Sequence, residues 1–468
     1  MKNSLPKKIH LIAICGMGMA PLAGLLKKKG FEITGSDAAF YPPMSDQLTA
    51  LGIPVKVGYK AENVESPDLV IVGNAVSKTN EEVQEVLKRQ ISMMSMPETI
   101  EKIFLPGRFP IVVAGTHGKT TTSALLAWLL ERTGQKPGFL VGGVLKNFGR
   151  SYQLGSGKYF VLEGDEYDSA FFDKGPKFLH YHPQILILND VEFDHADIYR
   201  DLDHLMEAFS QLIALMPKNG LIAASGDHPN VRTLISKAPC RVLTFGLENH
   251  SDLRAEKIEF GEMTTFDLLR EEKKLMRIAS PLVGRHNVKN LLGVLGALLE
   301  LGIPLSGINE AIAAFQGVKR RQEVLAAVRE ITVIDDFAHH PTAVFETLAA
   351  LRAKYGARRL WAIFEPRSNT TRRKVFQKDF IKAFEPADRV IVAPPYLPEK
   401  IPAEERLDPE QLVEDLKRSG KMARYFASID AIVEAIAAEA APKDILCFMS
   451  NGDFGGIHQK VLQKLDKT

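Results

Sequence analysis

The sequence predicts an α/β protein of three domains. The first is Rossmann-like, the second has a mostly parallel sheet around a P-loop-type phosphate cradle, and the third is Rossmann-like again. Three observations predict this. The chain has 468 residues, and domains run to roughly 150 residues each. Short apolar runs alternate with helix-period stretches along the whole length, the pattern of βαβ units. Most of those runs stop at a cluster of polar residues, and open parallel sheets bind their ligands at the carboxyl ends of strands. The expected domains are residues 1–108, 109–318 and 319–468. Hydrophobic residues make up 45% of the chain and charged residues 25%, as in ordinary globular enzymes. The net charge of +2 gives no global bias toward nucleic acid or membrane. Cys15, Cys240 and Cys447 have no metal-type spacing, which fits a reduced cytosol. The apolar run after Lys7 and Lys8 breaks at Gly16 without a cleavage-site pattern, and no apolar stretch is long enough to cross a bilayer.

In the first domain, residues 9–14 read as a strand that runs into Gly16-Met17-Gly18 and a helix over 21–29. A second strand over 31–34 ends at Gly35-Ser36-Asp37, an acidic residue about 20 positions after the glycines. The dinucleotide pattern is incomplete, because Met19, Ala20 and Pro21 follow Gly18. A nucleotide diphosphate on the helix start needs only the first two glycines. A third strand, over 68–72, leads to Gly73-Asn74, and a helix follows over 80–89.

The second domain carries the stretch that organises the rest. An apolar strand over 111–114 meets Gly115-Thr116-His117-Gly118-Lys119-Thr120-Thr121-Thr122, then a buried helix over 123–133 stopped by Gly134. Gly115 and Gly118 let the backbone approach an anion, the helix-start N–H groups point at it, and Lys119 adds a full charge. The Thr120 hydroxyl can reach a magnesium ion. The usual P-loop has four residues between its first glycine and Gly-Lys; this chain has two. Three later strands end in polar clusters: Glu163, Asp165, Glu166 and Asp168; Asn189, Asp190, Glu192, Asp194 and His195; Ser225 and Asp227. A single such carboxylate is more often a turn or cap residue. Two acidic clusters beside a phosphate cradle point to magnesium, which takes oxygen ligands and shares them with phosphates. Asn287 and Asn290 precede a helix running to Glu300, where capping is the simpler role and reading a base edge the alternative. Lys319, Arg320 and Arg321 are a solvated basic triplet or a clamp for a transferring phosphoryl group.

The third domain repeats the design. Strands over 332–334, 360–364, 389–393 and 445–449 end at Asp335-Asp336 with His339-His340, at Glu365-Pro366-Arg367-Ser368-Asn369, at Pro394-Pro395 and at Ser450-Asn451-Gly452-Asp453. A helix is expected over 342–355. No short-period repeat or low-complexity tract appears.

With these clusters in hand, the chain resembles the Mur ligases, the ATP-dependent amide-forming family of peptidoglycan synthesis, over essentially its whole length. The marks are Gly35 to Ala38 followed by Tyr41-Pro42-Pro43-Met44-Ser45, the cluster from Glu166 to Lys174, that from Glu192 to Asp197, that from Asp335 to Thr342, Glu365 to Thr370, and Ser450 to His458. Gly164 and Asp453 depart from the family pattern, which often has alanine and glycine there. The resemblance implies a three-domain Mur ligase architecture with a central P-loop ATPase domain. It implies UDP-N-acetylmuramate held in the first domain through Gly16, Gly18, Ser36, Asp37 and Asn74. ATP would be held by the loop from Gly115 to Thr121, with Asn287 and Asn290 at adenine, Arg320 at the phosphates and Asp335 near the ribose. Magnesium would be ligated by Thr120, Glu163 and His195, with Lys119, Glu163 and His195 as the catalytic groups. His339, Arg367, Ser368 and Asn451 would present the acceptor, because a planar arginine fork suits a peptide carboxylate. The marks favour the acceptor L-alanyl-γ-D-glutamyl-meso-diaminopimelate and a role in peptidoglycan recycling. L-alanine alone, or a non-catalytic ATP-dependent switch, are the alternatives, and a nicotinamide dehydrogenase is a more remote one.

Overall fold

In a computed structural model the chain is described over residues 6–40, 44–248 and 250–467. Tyr41, Pro42 and Pro43 of the family mark lie outside the described residues. The chain forms two compact units: Met1–Val191, Asp203–Arg254 and Leu291–Ala311 in one, Glu192–Leu202, Ala255–Asn290 and Ile312–Thr468 in the other.

The first unit holds two large sheets and a small antiparallel pair, Asp168–Ala170 with Asp173–Pro176. One is parallel throughout, in the order Val55–Val57, Glu32–Asp37, Lys8–Ile12, Leu69–Val72, Met93–Ser95. The chain places its second strand on one side of Lys8–Ile12 and a later one on the other. The switch point therefore lies at the end of Lys8–Ile12, where Gly16 and Gly18 follow. The strand expected over 31–34 continues to Asp37, because Gly35, Ser36 and Asp37 pair with Val55–Val57. Gly35 makes this possible: a Cβ there would sit 2.5 Å from the Ile14 side chain.

Within this unit the other large sheet runs Arg241–Gly246, Leu221–Ser225, Ile185–Leu188, Phe109–Ala114, Tyr159–Gly164, Gly138–Leu145, Arg150–Gln153. Only the pairing of the last two is antiparallel. Phe109–Ala114 lies between two strands that both follow it in sequence, Tyr159–Gly164 on one side and Ile185–Leu188 on the other, so a second switch point falls at Ala114. Ile111 to Ala114 are fully buried, as expected of a parallel strand covered on both faces. The following helix, Lys119–Arg132, buries ten residues distributed around its circumference, and a helix apolar all round is a core helix. It starts four residues earlier than the sequence suggests, directly at Lys119.

The second unit is built on a six-stranded sheet in the order Glu323–Val328, Ile331–Asp336, Ile445–Met449, Leu360–Phe364, Arg389–Val392, Met422–Tyr425. The first pair is antiparallel and the rest parallel. Leu360, Ala362 and Phe364 pack on one face against Val344, Leu348, Phe380 and Leu412. Trp361 and Ile363 pack on the other against Ile432, Ile436, Ile457 and Val461. This is the period-two alternation of a strand covered on both sides. It brings the ends of three neighbouring strands together: Asp335-Asp336, Glu365 and Ser450.

Candidate active site

The loop after Phe109–Ala114 takes its shape from backbone that other residues resist. Gly115 has φ +129° and Gly118 φ +77°. A Cβ on Gly115 would lie 2.8 Å from the Asp190 carbonyl. The next strand end pins the loop: the N–H groups of Thr116 and His117 donate to the Asp190 carbonyl (2.7 Å) and carboxylate (2.8 Å), and Asn189 donates to the His117 carbonyl at 3.1 Å. These two residues read from sequence as part of an acidic cluster; here they are loop anchors.

Lys119 turns back over this loop. Its ammonium donates to the carbonyls of Gly115 (2.6 Å) and Thr116 (3.3 Å) and to both oxygens of Glu166 (3.0 and 2.9 Å). Burial would lower the lysine pKa, but Glu166 and then Asp165 outweigh it and hold the group above its ordinary value. Thr120 donates its hydroxyl to Glu163 at 2.8 Å, and the Gly142 N–H donates to the other Glu163 oxygen at 2.7 Å. Burial first, and Asp165 next, push the Glu163 carboxyl up. A carboxylate so placed gains from a cation. With the Thr120 hydroxyl it offers hard oxygen donors, which fit magnesium.

In the N-terminal sheet, Gly18 packs on Met96, whose sulfur a Cβ would meet at 2.8 Å. The Asp37 carboxylate accepts the Cys15 N–H at 2.8 Å, and Asn74 is exposed just past Leu69–Val72. Glycine turn, Asp37 and Asn74 thus follow three adjacent strand ends. Ser36 departs from expectation. Its side chain is fully buried and donates to Glu82 at 2.5 Å, in a network with His10 and Asn63. That hydroxyl is committed to the interior, so the expected UDP contact at Ser36 is not one its side chain makes.

In the second unit, Asn287 and Asn290 are inside helix Arg285–Glu300 and buried. Asn287 donates to the Val283 carbonyl at 2.8 Å and accepts from Asn290 at 3.2 Å. The helix-capping role expected for them is therefore replaced by an amide pair. Arg320 is not available as a phosphoryl clamp in this arrangement: its guanidinium donates to the carbonyls of Ser450 (2.6 Å) and Gly452, and lies 3.3 Å from Asp335. It ties two strand ends together. Asp335 also has His458 at 3.3 Å. His195 has φ +56° and sits 3.8 Å from Asp194. His339 lies 4.0 Å from the same carboxylate, and its pKa is lowered, chiefly by burial.

Among the residues expected at the acceptor, Arg367 has the strongest set of partners. Its guanidinium stacks 3.8 Å from the Tyr396 ring centroid, donates to Asp453 at 2.7 Å and lies 3.5 Å from Glu365. A Cβ on Gly452 would collide with it. Ser450 donates to Glu365 at 2.5 Å. Beside them the Asn451 side-chain amide oxygen is buried with no hydrogen-bond partner among the described residues. Ser368 uses its hydroxyl on its own turn, at Thr371. Glu166, Asp190 and Tyr396 are residues to which sequence reading gives no individual role. Glu166 and Asp190 carry a signal, their place in strand-end clusters; Tyr396 carries none.

Three family models match in series: the Mur ligase catalytic domain at residues 8–106, the Mur ligase middle domain at 113–298, and the Mur ligase glutamate ligase domain at 320–452. The chain belongs to the Mur ligase family. It is 40% identical over 465 residues to the UDP-N-acetylmuramate–L-alanyl-γ-D-glutamyl-meso-2,6-diaminoheptandioate ligase of Haemophilus influenzae, covering 98% of this chain and 99% of that one. It is 32% identical to the UDP-N-acetylmuramate–L-alanine ligase of Acetivibrio thermocellus, covering 96% and 94%. A crystal structure of a murein peptide ligase from Psychrobacter arcticus matches with a TM-score of 0.75 at 35% identity, covering 99% of both chains.

Proposed function

We propose that this chain is an ATP-dependent ligase that joins UDP-N-acetylmuramate to the tripeptide L-alanyl-γ-D-glutamyl-meso-diaminopimelate. In this reading residues 1–108 hold the UDP donor, 109–318 the ATP and 319–468 the peptide. The observation that carries it is the loop at the central switch point, with Lys119 folded over it and the Thr120–Glu163 pair beside it. The greater identity to a tripeptide ligase than to an L-alanine ligase supports the acceptor.

The chemistry needs these groups. A muramyl carboxylate oxygen attacks the γ-phosphorus of ATP and ADP leaves. The peptide amine then attacks the acyl carbon, and phosphate leaves with that oxygen. The first step presses two anions together. Unit charges about 4 Å apart repel by about 4 kcal/mol at an effective dielectric near 20, roughly a thousandfold in rate. Lys119 offsets this, and the N–H groups opening helix Lys119–Arg132 bind the phosphates. Thr120 and Glu163 would hold magnesium, and the metal would supply further charge neutralisation. Arg367 holds a peptide carboxylate through its fork.

Asp453 makes the acceptor the point to test, because its carboxylate already sits on Arg367 and would compete with the carboxylate of any acceptor. The test is phosphate release from ATP with UDP-N-acetylmuramate and either tripeptide or L-alanine. Release that requires the tripeptide is expected. Release supported by L-alanine and not by tripeptide overturns the acceptor assignment.

A further inference from the structure

The lysine of the phosphate loop already holds an anion. An ammonium has three N–H groups to give, and those of Lys119 face the Gly115 carbonyl, the Thr116 carbonyl and the Glu166 carboxylate. The two carbonyls belong to the loop itself and cannot leave without unmaking it. Among the described residues, Glu166 is the lysine's one partner on a rotatable side chain. It comes from beyond the end of strand Tyr159–Gly164, its side chain is 1% exposed, and it meets the lysine with both oxygens. A carboxylate so placed offers what a phosphate offers: two anionic oxygens side by side.

We propose that Glu166 is a positioning residue that stands in for phosphate. It keeps the Lys119 ammonium over the empty loop and yields it when a nucleotide binds. This rests on the reading that the loop takes nucleotide phosphates, and adds that their arrival is an exchange. The exchange prevents a buried, unpaired ammonium between turnovers. It also subtracts from nucleotide affinity, because one charge-assisted pair breaks as another forms.

The two effects have a signature that a merely structural role does not share. Glu166→Gln keeps the shape and removes the charge. Magnesium-free ADP should then bind about tenfold more tightly, the size of one charge-assisted hydrogen bond. Calorimetric titration of ADP into wild type, Glu166→Gln, Lys119→Met and the double variant tests this. In the Lys119→Met background the Glu166 substitution should change ADP affinity less than about twofold. Unchanged or weaker binding by Glu166→Gln overturns the proposal. So does equal tightening without Lys119, which would mean direct repulsion between Glu166 and phosphate. If Glu166→Gln does not fold, a crystal structure of the wild-type chain with ADP decides. Lys119 should have left Glu166 for the β-phosphate, and retention of both carboxylate contacts overturns the exchange. Wild-type protein that binds no ADP would sink the nucleotide reading itself, a different result from ADP bound without exchange.

Discussion

At Lys119, removing the side chain does two separable things. It takes away the charge that meets the phosphates, so Lys119→Ala should lower single-turnover rates at least about a thousandfold. It also leaves Glu166 buried without its ammonium. Breaking a buried pair from one side costs about 3 kcal/mol, so the urea midpoint of Lys119→Ala should fall, and adding Glu166→Gln should recover part of the loss. A Lys119→Ala protein with the wild-type midpoint contradicts the pairing. Sequence alone presents this lysine only as a phosphate ligand. Glu82 makes a similar prediction in pH. Burial tends to raise its carboxyl, but His10, Ser36 and Asn63 outweigh that and hold it below the ordinary glutamate range. A depressed folded pKa contributes stability above the unfolded value of about 4.3, and the contribution fades as pH falls through the folded value. Wild-type stability should drop on acidification below roughly pH 4, and Glu82→Gln should flatten that limb of the denaturation profile. Superimposable profiles would count against the network.

In the proposed reading, nucleotide binding depends on the loop from Gly115 to Gly118. Gly115→Val meets both a positive φ and the Asp190 carbonyl. It should weaken ADP binding at least about a hundredfold while the far-ultraviolet circular dichroism stays that of the wild type; near-normal ADP affinity would contradict the loop geometry. The buried strands were legible because a strand covered on both faces is a short apolar run, as Ile185–Leu188 and Ile445–Met449 are. Edge strands were not. Val55–Val57 and Met422–Tyr425 have half-exposed or exposed positions and no apolar run to mark them, and the hairpin Thr264–Arg270 with Lys273–Ser280 is rich in charge. The phosphate loop and its carboxylates were legible as types at strand ends. Which carboxylate meets which partner was not, since Lys119 and Glu166 are 47 residues apart and only the folded sheet sets that distance. Ser36 shows the converse: a polar residue at a strand end that points into the core.

Across the whole molecule, the proposed reading gives donor, nucleotide and acceptor each to strand ends of a separate sheet. The nucleotide loop and the arginine site belong to different compact units, and each is completed by partners within its own unit. Arg367→Lys should therefore raise the KM for tripeptide at least about tenfold, because lysine has neither the fork nor the stack on Tyr396, and should leave the KM for ATP within about twofold. A rise in both would contradict separate construction. The central claim is an acyl phosphate made from the donor's carboxylate and consumed by a peptide amine. Its most direct test uses UDP-N-acetylmuramate labelled with heavy oxygen in the carboxylate, followed by mass spectrometry of the phosphate released on turnover with tripeptide. One labelled oxygen should appear in each phosphate. Unlabelled phosphate, released as fast as product forms, would contradict the account.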